Sequence, residues 1–280
     1  MTGSCSISDH WGTGDVFGRI LEAMISAGIS PQTVTVEQLA PVDHLHARGF
    51  PATRDLADML PVKAGHRLVD IGCGIGGPAR YLAQRFNCYV NGIDITEPFV
   101  DAANKLNELA GLDDRVTIEL GDGQSLPYED AVFDGGYTQH VTMNIADRKT
   151  FFSEAFRVLK PGGFFALTEH GLGEKRDPHY PVPWSKDGSG AYLLTPSETA
   201  SCLKGAGFMD IAVTFTGKAY LAGYRRAIEL AEKGEMPAFG VHILLGKEAP
   251  EKTKNAALNI EQGRTQPIQV VCRKPTLKMP

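Results

Sequence analysis

The chain has 280 residues, 42% hydrophobic and 22% charged, which is enough apolar side chain for a buried core and excludes wholesale disorder. That length fits two domains of about 150 residues each or one open α/β sheet with insertions. The net charge of −5, with no Lys/Arg-dense stretch, argues against a nucleic-acid partner.

Residues 16–27 carry Val16, Ile20, Leu21, Met24 and Ile25 at helical spacing, with Gly28 as a stop. Helices are also predicted over 36–45 and 52–60, so residues 1–62 form a helical prefix ahead of any strand. From residue 66 the pattern changes. A buried strand over 66–71, a glycine cluster, a helix over 78–86 and a strand over 88–94 make one βαβ unit. A helix over 99–110, strands over 116–120 and 133–137, and a helix over 148–159 continue the alternation. Lys160-Pro161-Gly162-Gly163 predicts a tight turn into a fifth strand over 164–169. Such alternation means an α/β fold with a doubly wound, mostly parallel, Rossmann-like sheet. Residues 171–194, rich in proline and glycine, read as an insertion over the strand ends. A helix over 195–205, a strand over 208–215, a largely helical stretch within 216–264 and a last strand over 267–273 complete the chain.

Apolar runs such as residues 164–167 are far shorter than the ~20 residues of a membrane span. Residues 1–15 lack a basic n-region and apolar h-region. The five cysteines, Cys5, Cys73, Cys88, Cys202 and Cys272, are scattered, without C-x-x-C or paired histidine spacing. Free thiols, no metal site and a cytoplasmic location are therefore expected.

Chemistry concentrates in Val69-Asp70-Ile71-Gly72-Cys73-Gly74-Ile75-Gly76-Gly77, where a strand runs into glycines before a helix. The G-x-G-x-x-G spacing lets backbone approach a ligand at a helix N-terminus, although such turns also simply join strand to helix. Three acids sharpen the signal. Asp94 closes the second strand, where a carboxylate can accept ribose hydroxyls. Asp122, in Gly121-Asp122-Gly123-Gln124, follows the third, where it or the neighbouring amide can read an adenine. Asp70 lies inside an apolar strand, where a buried charge needs a partner that a cationic ligand would supply. The alternatives are that Asp94 and Asp122 cap the next helices and that Asp70 accepts loop amides.

These segments, with Gly92-Ile93-Asp94-Ile95, Gln124-Ser125-Leu126-Pro127-Tyr128, Phe133-Asp134 and Arg157-Val158-Leu159-Lys160-Pro161-Gly162-Gly163, resemble in order the motifs of class I S-adenosylmethionine-dependent methyltransferases. The likeness covers about residues 65–170 and is strongest to the small-molecule branch of ubiquinone/menaquinone, sarcosine/dimethylglycine and tocopherol methyltransferases. It implies a seven-stranded sheet with an antiparallel last strand and helical lid insertions, residues 63–280 forming the methyltransferase domain with insertions at 171–194 and 216–264. It further implies S-adenosyl-L-methionine as cofactor, with Asp70 and the turn through Gly72, Gly74 and Gly76 at its methionine end, Asp94 and Ile95 at the ribose, Asp122 and Gly123 at the adenine, and Gln139 bordering the methionine. A small-molecule acceptor (amine, phenol or quinone/isoprenoid) is the expected partner, without nucleic acid or a membrane span, and a homodimer is the candidate assembly.

His140, past the fourth strand, is the candidate catalytic residue, with Glu169 and His170 behind it. His44, His46 and Arg48 read as a solvated helix end that could instead face the site. Trp184, Tyr180, Tyr192, Tyr220, Tyr224 and Phe239 are candidates for an aromatic acceptor pocket or for lid packing. Two rival functions are compatible with the glycine turn: an NAD(P)-dependent oxidoreductase, and a nucleoside-binding module without catalysis. Against the first stand Asp70, the Gly121-Asp122 signal and the lack of a Tyr-x-x-x-Lys pair.

Overall fold

The computed structural model describes residues 14–46 and 48–276. The leader reading over residues 1–15 therefore falls, except for its last two positions, outside the described residues, and so does Cys5. The prefix comprises α1 (Val16–Ser26), α2 (Val36–Asp43) and α3 (Phe50–Met59). Asp15 caps α1 by accepting the Gly18 amide, and Thr35 with Gln38 forms a capping box on α2. The core domain then runs β1 (Arg67–Ile71), α4 (Gly77–Phe86), β2 (Tyr89–Asp94), α5 (Glu97–Leu109), β3 (Val116–Leu120), β4 (Phe133–Gln139), α6 (Arg148–Val158) and β5 (Leu159–Leu172). After it come α7 (Pro196–Gly205), β6 (Met209–Phe215), α8 (Gly217–Glu232), the one-turn α9 (His242–Leu245), α10 (Ala249–Glu261) and β7 (Thr265–Arg273).

The seven strands lie in the order β3-β2-β1-β4-β5-β7-β6. β1 to β5 pair in parallel, and β7 enters antiparallel between β5 and β6. Successive strand residues face opposite sides of the sheet, so β1 feeds two cores. Val69 and Ile71 join Phe151, Phe152, Phe165 and Leu203 on the α6/α7 side, while Leu68 joins Leu56, Leu82, Val90 and Tyr137 under α3 and α4. A third core, built of Val16, Ile20, Met24, Leu39, Ile75, Phe99 and Leu106, fastens the prefix to α5. Among the described residues, no helix is long and apolar enough to cross a membrane.

One expectation needs correction. β5 does not start after the Lys160–Gly163 turn but at Leu159, and pairing on β4 passes from Phe133↔Leu159 to Gly135↔Phe164. The turn residues are looped out as a bulge, with Gly162 at φ 82° and its amide donated to the Lys274 carbonyl. Strand pairing resumes because a bulge accommodates extra residues on one strand without ending the ladder.

Candidate functional site

The carboxyl ends of β1 to β4 open into a cavity of about 760 Å³, a size typical of small-molecule sites. Asp70, Gly72, Gly74, Asp94, Ile95, Asp122, Gly123, Gln139 and His140 all line it. Gly76 does not line the cavity and instead sits at φ 81° as the residue before α4.

The turn after β1 is shaped by backbone that only glycine adopts freely. Gly72 has φ 76°, and a Cβ there would collide with the Val141 side chain; Gly74 has φ 56° and only Leu45 Cδ1 near it, at 3.5 Å. Asp94 braces this turn from β2, accepting the Gly74 amide at 2.8 Å and the Thr96 amide at 2.9 Å. Asp122 closes its own turn by accepting the Gln124 amide at 2.8 Å. Neither acid caps a helix as the alternative reading had it: Thr96 is the residue before α5, and β4 rather than a helix follows Asp122, so both carboxylates brace turns on the wall of the cavity.

Asp70 differs. It is 2% exposed, and its Oδ2 has no hydrogen-bond partner. Burial pushes its carboxyl up to about 8, with the adjacent Tyr137 hydroxyl opposing the shift and the Asp94 charge adding to it. The alternative in which Asp70 accepts loop amides has no bond at Oδ2 to support it.

The other wall comes from the prefix, residues 171–194 and the α8–α10 region. α2 ends at Asp43, and the chain turns inward, so His44, His46 and Arg48 line the cavity rather than forming a solvated helix end. His44 is 1% exposed, and burial, with His46 and Arg80 nearby, holds its imidazole well below the usual range. The Thr53 hydroxyl gathers this group: it lies 3.0 Å from His44 Nδ1, 2.9 Å from His46 Nε2 and 3.5 Å from Gln139 Oε1.

Glu169 does not reach the cavity. It is fully buried, accepting from Arg148 at 2.9 Å and from the hydroxyls of Thr142 and Thr199, each at 2.6 Å, as a brace between β5 and its helices. His170 is also buried behind the wall, stacked on Trp184 at 4.5 Å and bonded to the Tyr224 hydroxyl at 3.1 Å. Of the aromatic candidates, Trp184 and Tyr224 line the cavity; Tyr180, Tyr192, Tyr220 and Phe239 do not.

One element escaped sequence reasoning. Arg80 is fully buried, donating Nε and Nη2 to the two oxygens of Asp43, Nη2 to the Ile75 carbonyl at 2.7 Å and Nη1 to Asn107 at 2.7 Å. It ties the prefix to the glycine turn and to α5. A charged residue among Ala79, Leu82 and Ala83 on one helix was the available signal.

Residues 69–167 match the family model described as a methyltransferase domain. The chain is 44% identical over 114 residues to 24-methylenesterol C-methyltransferase 2 of Oryza sativa subsp. japonica, spanning 41% of this chain and 31% of that protein. It is 45% identical over 115 residues to 27-O-demethylrifamycin SV methyltransferase of Amycolatopsis mediterranei (strain S699), spanning 41% and 42%. The chain thus covers less than half the length of these curated relatives. In fold it is similar to Haemonchus contortus phosphoethanolamine N-methyltransferase 2, solved with phosphomonomethylethanolamine and S-adenosylhomocysteine, at TM-score 0.74 and 22% identity over 96% of this chain and 60% of that one. Residues 69–167 of this chain thus carry a methyltransferase domain, set in a fold similar to that of a solved S-adenosylhomocysteine-bound methyltransferase.

Proposed function

We propose that the protein transfers a methyl group from S-adenosylmethionine to a small-molecule acceptor enclosed by the prefix, residues 171–194 and α8. The observation that carries this reading is Asp70: a buried carboxylate with an unbonded oxygen beside a turn shaped for close backbone approach fits a nucleoside that bears a cationic amino-acid end. In this reading Asp70 and the turn through Gly72 and Gly74 hold the methionine end, Asp94 and Ile95 the ribose, Asp122 and Gly123 the adenine, and Gln139 borders the methionine. The bound cofactor supplies an electrophilic methyl on a sulfonium. The chain's own contribution is to orient the acceptor and exclude water from the cavity. Sterol and rifamycin acceptors, named for the two relatives, support a bulky apolar molecule. A cytoplasmic location is supported by the four described cysteines being free thiols.

Titration calorimetry tests the reading. S-adenosylmethionine and S-adenosylhomocysteine are expected to bind and NAD is not; binding of NAD alone sinks the proposal. Because Asp70 holds its proton near neutral pH and a cation beside it favours ionisation, binding is expected to release a proton and to strengthen as pH rises toward 8. Measured across buffers of different ionisation enthalpy, that proton should vanish in Asp70→Asn. Asp94→Ala is expected to weaken S-adenosylhomocysteine binding by about 1.5–3 kcal/mol, since it removes charge-assisted bonds at the turn; an unchanged Kd would leave Asp94 as a brace of the turn alone.

A further inference from the structure

His140 has φ 58°, and its amide donates to the Thr168 carbonyl at 2.8 Å, so the chain breaks from β4 just where the ring meets the cavity. Its Nε2 lies 2.9 Å from the hydroxyl of Tyr220 on α8. That phenol is buried beside the Thr168 hydroxyl, which has no partner of its own within bonding geometry. A phenol is a better donor than an alkyl hydroxyl, and an unprotonated ring nitrogen is the better acceptor of the two on offer. Tyr220 therefore donates to Nε2 of His140, which leaves the ring hydrogen on Nδ1.

The groups facing His140 are His46, stacked at 5.5 Å, His170 at 5.5 Å and Tyr220, with the Arg48 guanidinium 5.8 Å from the Tyr220 ring. No carboxylate among the described residues bonds to it or raises it. Burial and the two neighbouring imidazoles hold it well below the usual range, which makes it a poor base and a dependable N–H donor. The cations on this wall are Arg48, paired with Asp55 at 2.8 Å, and Arg226, paired with Glu229 at 3.2 Å. The wall's carboxylates are Asp70, Asp94 and Asp122 at the cofactor residues, Asp43 locked on Arg80, and exposed Glu37 on α2.

We propose that the acceptor is an apolar molecule whose reacting oxygen is already anionic, such as an acidic phenol or enol, received by the Nδ1–H of His140, with Tyr220 as the positioning residue that sets the tautomer. Trp184, Tyr224, Met143 and Leu230 hold its apolar body. This rests on the methyltransferase reading. An ionised oxygen needs no base: its lone pair forms the carbon–oxygen bond while the carbon–sulfur pair returns to sulfur, so anion and sulfonium become neutral ether and neutral thioether.

The probe is 4-nitrophenol, whose anion is coloured, titrated into the protein saturated with S-adenosylhomocysteine. The anion is expected to bind roughly tenfold or more tightly than the neutral phenol, the difference for a bond to a charged group. His140→Gln, which keeps an N–H donor, should retain that preference, while His140→Ala and Tyr220→Phe should lose it. Nitrogen-15 spectra of the imidazole, assigned with His140→Ala, should show the Nδ1–H tautomer in the wild type and a mixture in Tyr220→Phe. Preference for the neutral phenol, tighter binding of protonated benzylamine, no binding of 4-nitrophenol or an Nε2–H tautomer would each overturn the assignment. Failure of S-adenosylhomocysteine itself to bind would overturn the methyltransferase reading beneath it.

Discussion

Asp43→Ala is expected to destabilise the protein by about 3–5 kcal/mol, the cost of leaving a buried charge without its counter-ion. Both side chains of the Asp43–Arg80 pair have no exposed surface, and Arg80 uses both Nε and Nη2 on the carboxylate. The remaining bonds of Arg80, to Ile75, Ala103 and Asn107, are to neutral groups and cannot balance the guanidinium. α2 also approaches α4 so closely that a Cβ on Gly77 would collide with Asp43. The lost ion pair therefore cannot be repaired by a small shift of the helix. Thermal unfolding should show Tm lowered by roughly 6–20 °C, with Asp43→Asn falling between alanine and wild type. A loss below about 1 kcal/mol, the level of an exposed pair, would mean that water reaches Arg80 in solution.

Gly74→Val should abolish measurable binding of S-adenosylhomocysteine, a loss of about a hundredfold or more (about 2.7 kcal/mol), while the fold survives. The reason is geometric. A Cβ at Gly74 meets nothing closer than Leu45 Cδ1 at 3.5 Å, so the protein tolerates it apart from the positive φ, which costs about 1–3 kcal/mol. The added side chain then occupies ligand space. Gly72→Val is the contrasting variant, because its Cβ collides with Val141 and the damage falls on the fold as well. Circular dichroism with calorimetry separates the two. Normal binding by folded Gly74→Val would show that the ligand does not approach this turn.

The order of elements and the glycine-turn wall of the cavity were legible along the chain. The strand, turn and helix signals around residues 66–120 depend on neighbours within a few positions, such as the apolar run of β1, the glycines that follow and the acid closing β2. The bulge at residues 160–163 shows the limit of that reasoning, since the proline and glycines do make the expected turn, but only β4 and β7 alongside decide that the strand continues through it. Glu169 and His170 are adjacent in sequence, yet one braces Arg148 and the other stacks on Trp184, because alternate strand residues face opposite sides of the sheet.

What the sequence by itself determined was the α/β alternation and the placing of Asp70, Asp94 and Asp122 at successive strand ends, features set by local periodicity and turn chemistry. The opposite wall of the cavity was decided by tertiary structure alone. The bonds of His140 to Tyr220, of His170 to Tyr224 and of Arg80 to Asp43 join residues 80, 54 and 37 positions apart. No local pattern encodes such pairs. They form because burying the faces of α2 and α8 leaves polar side chains whose desolvation is offset only by each other.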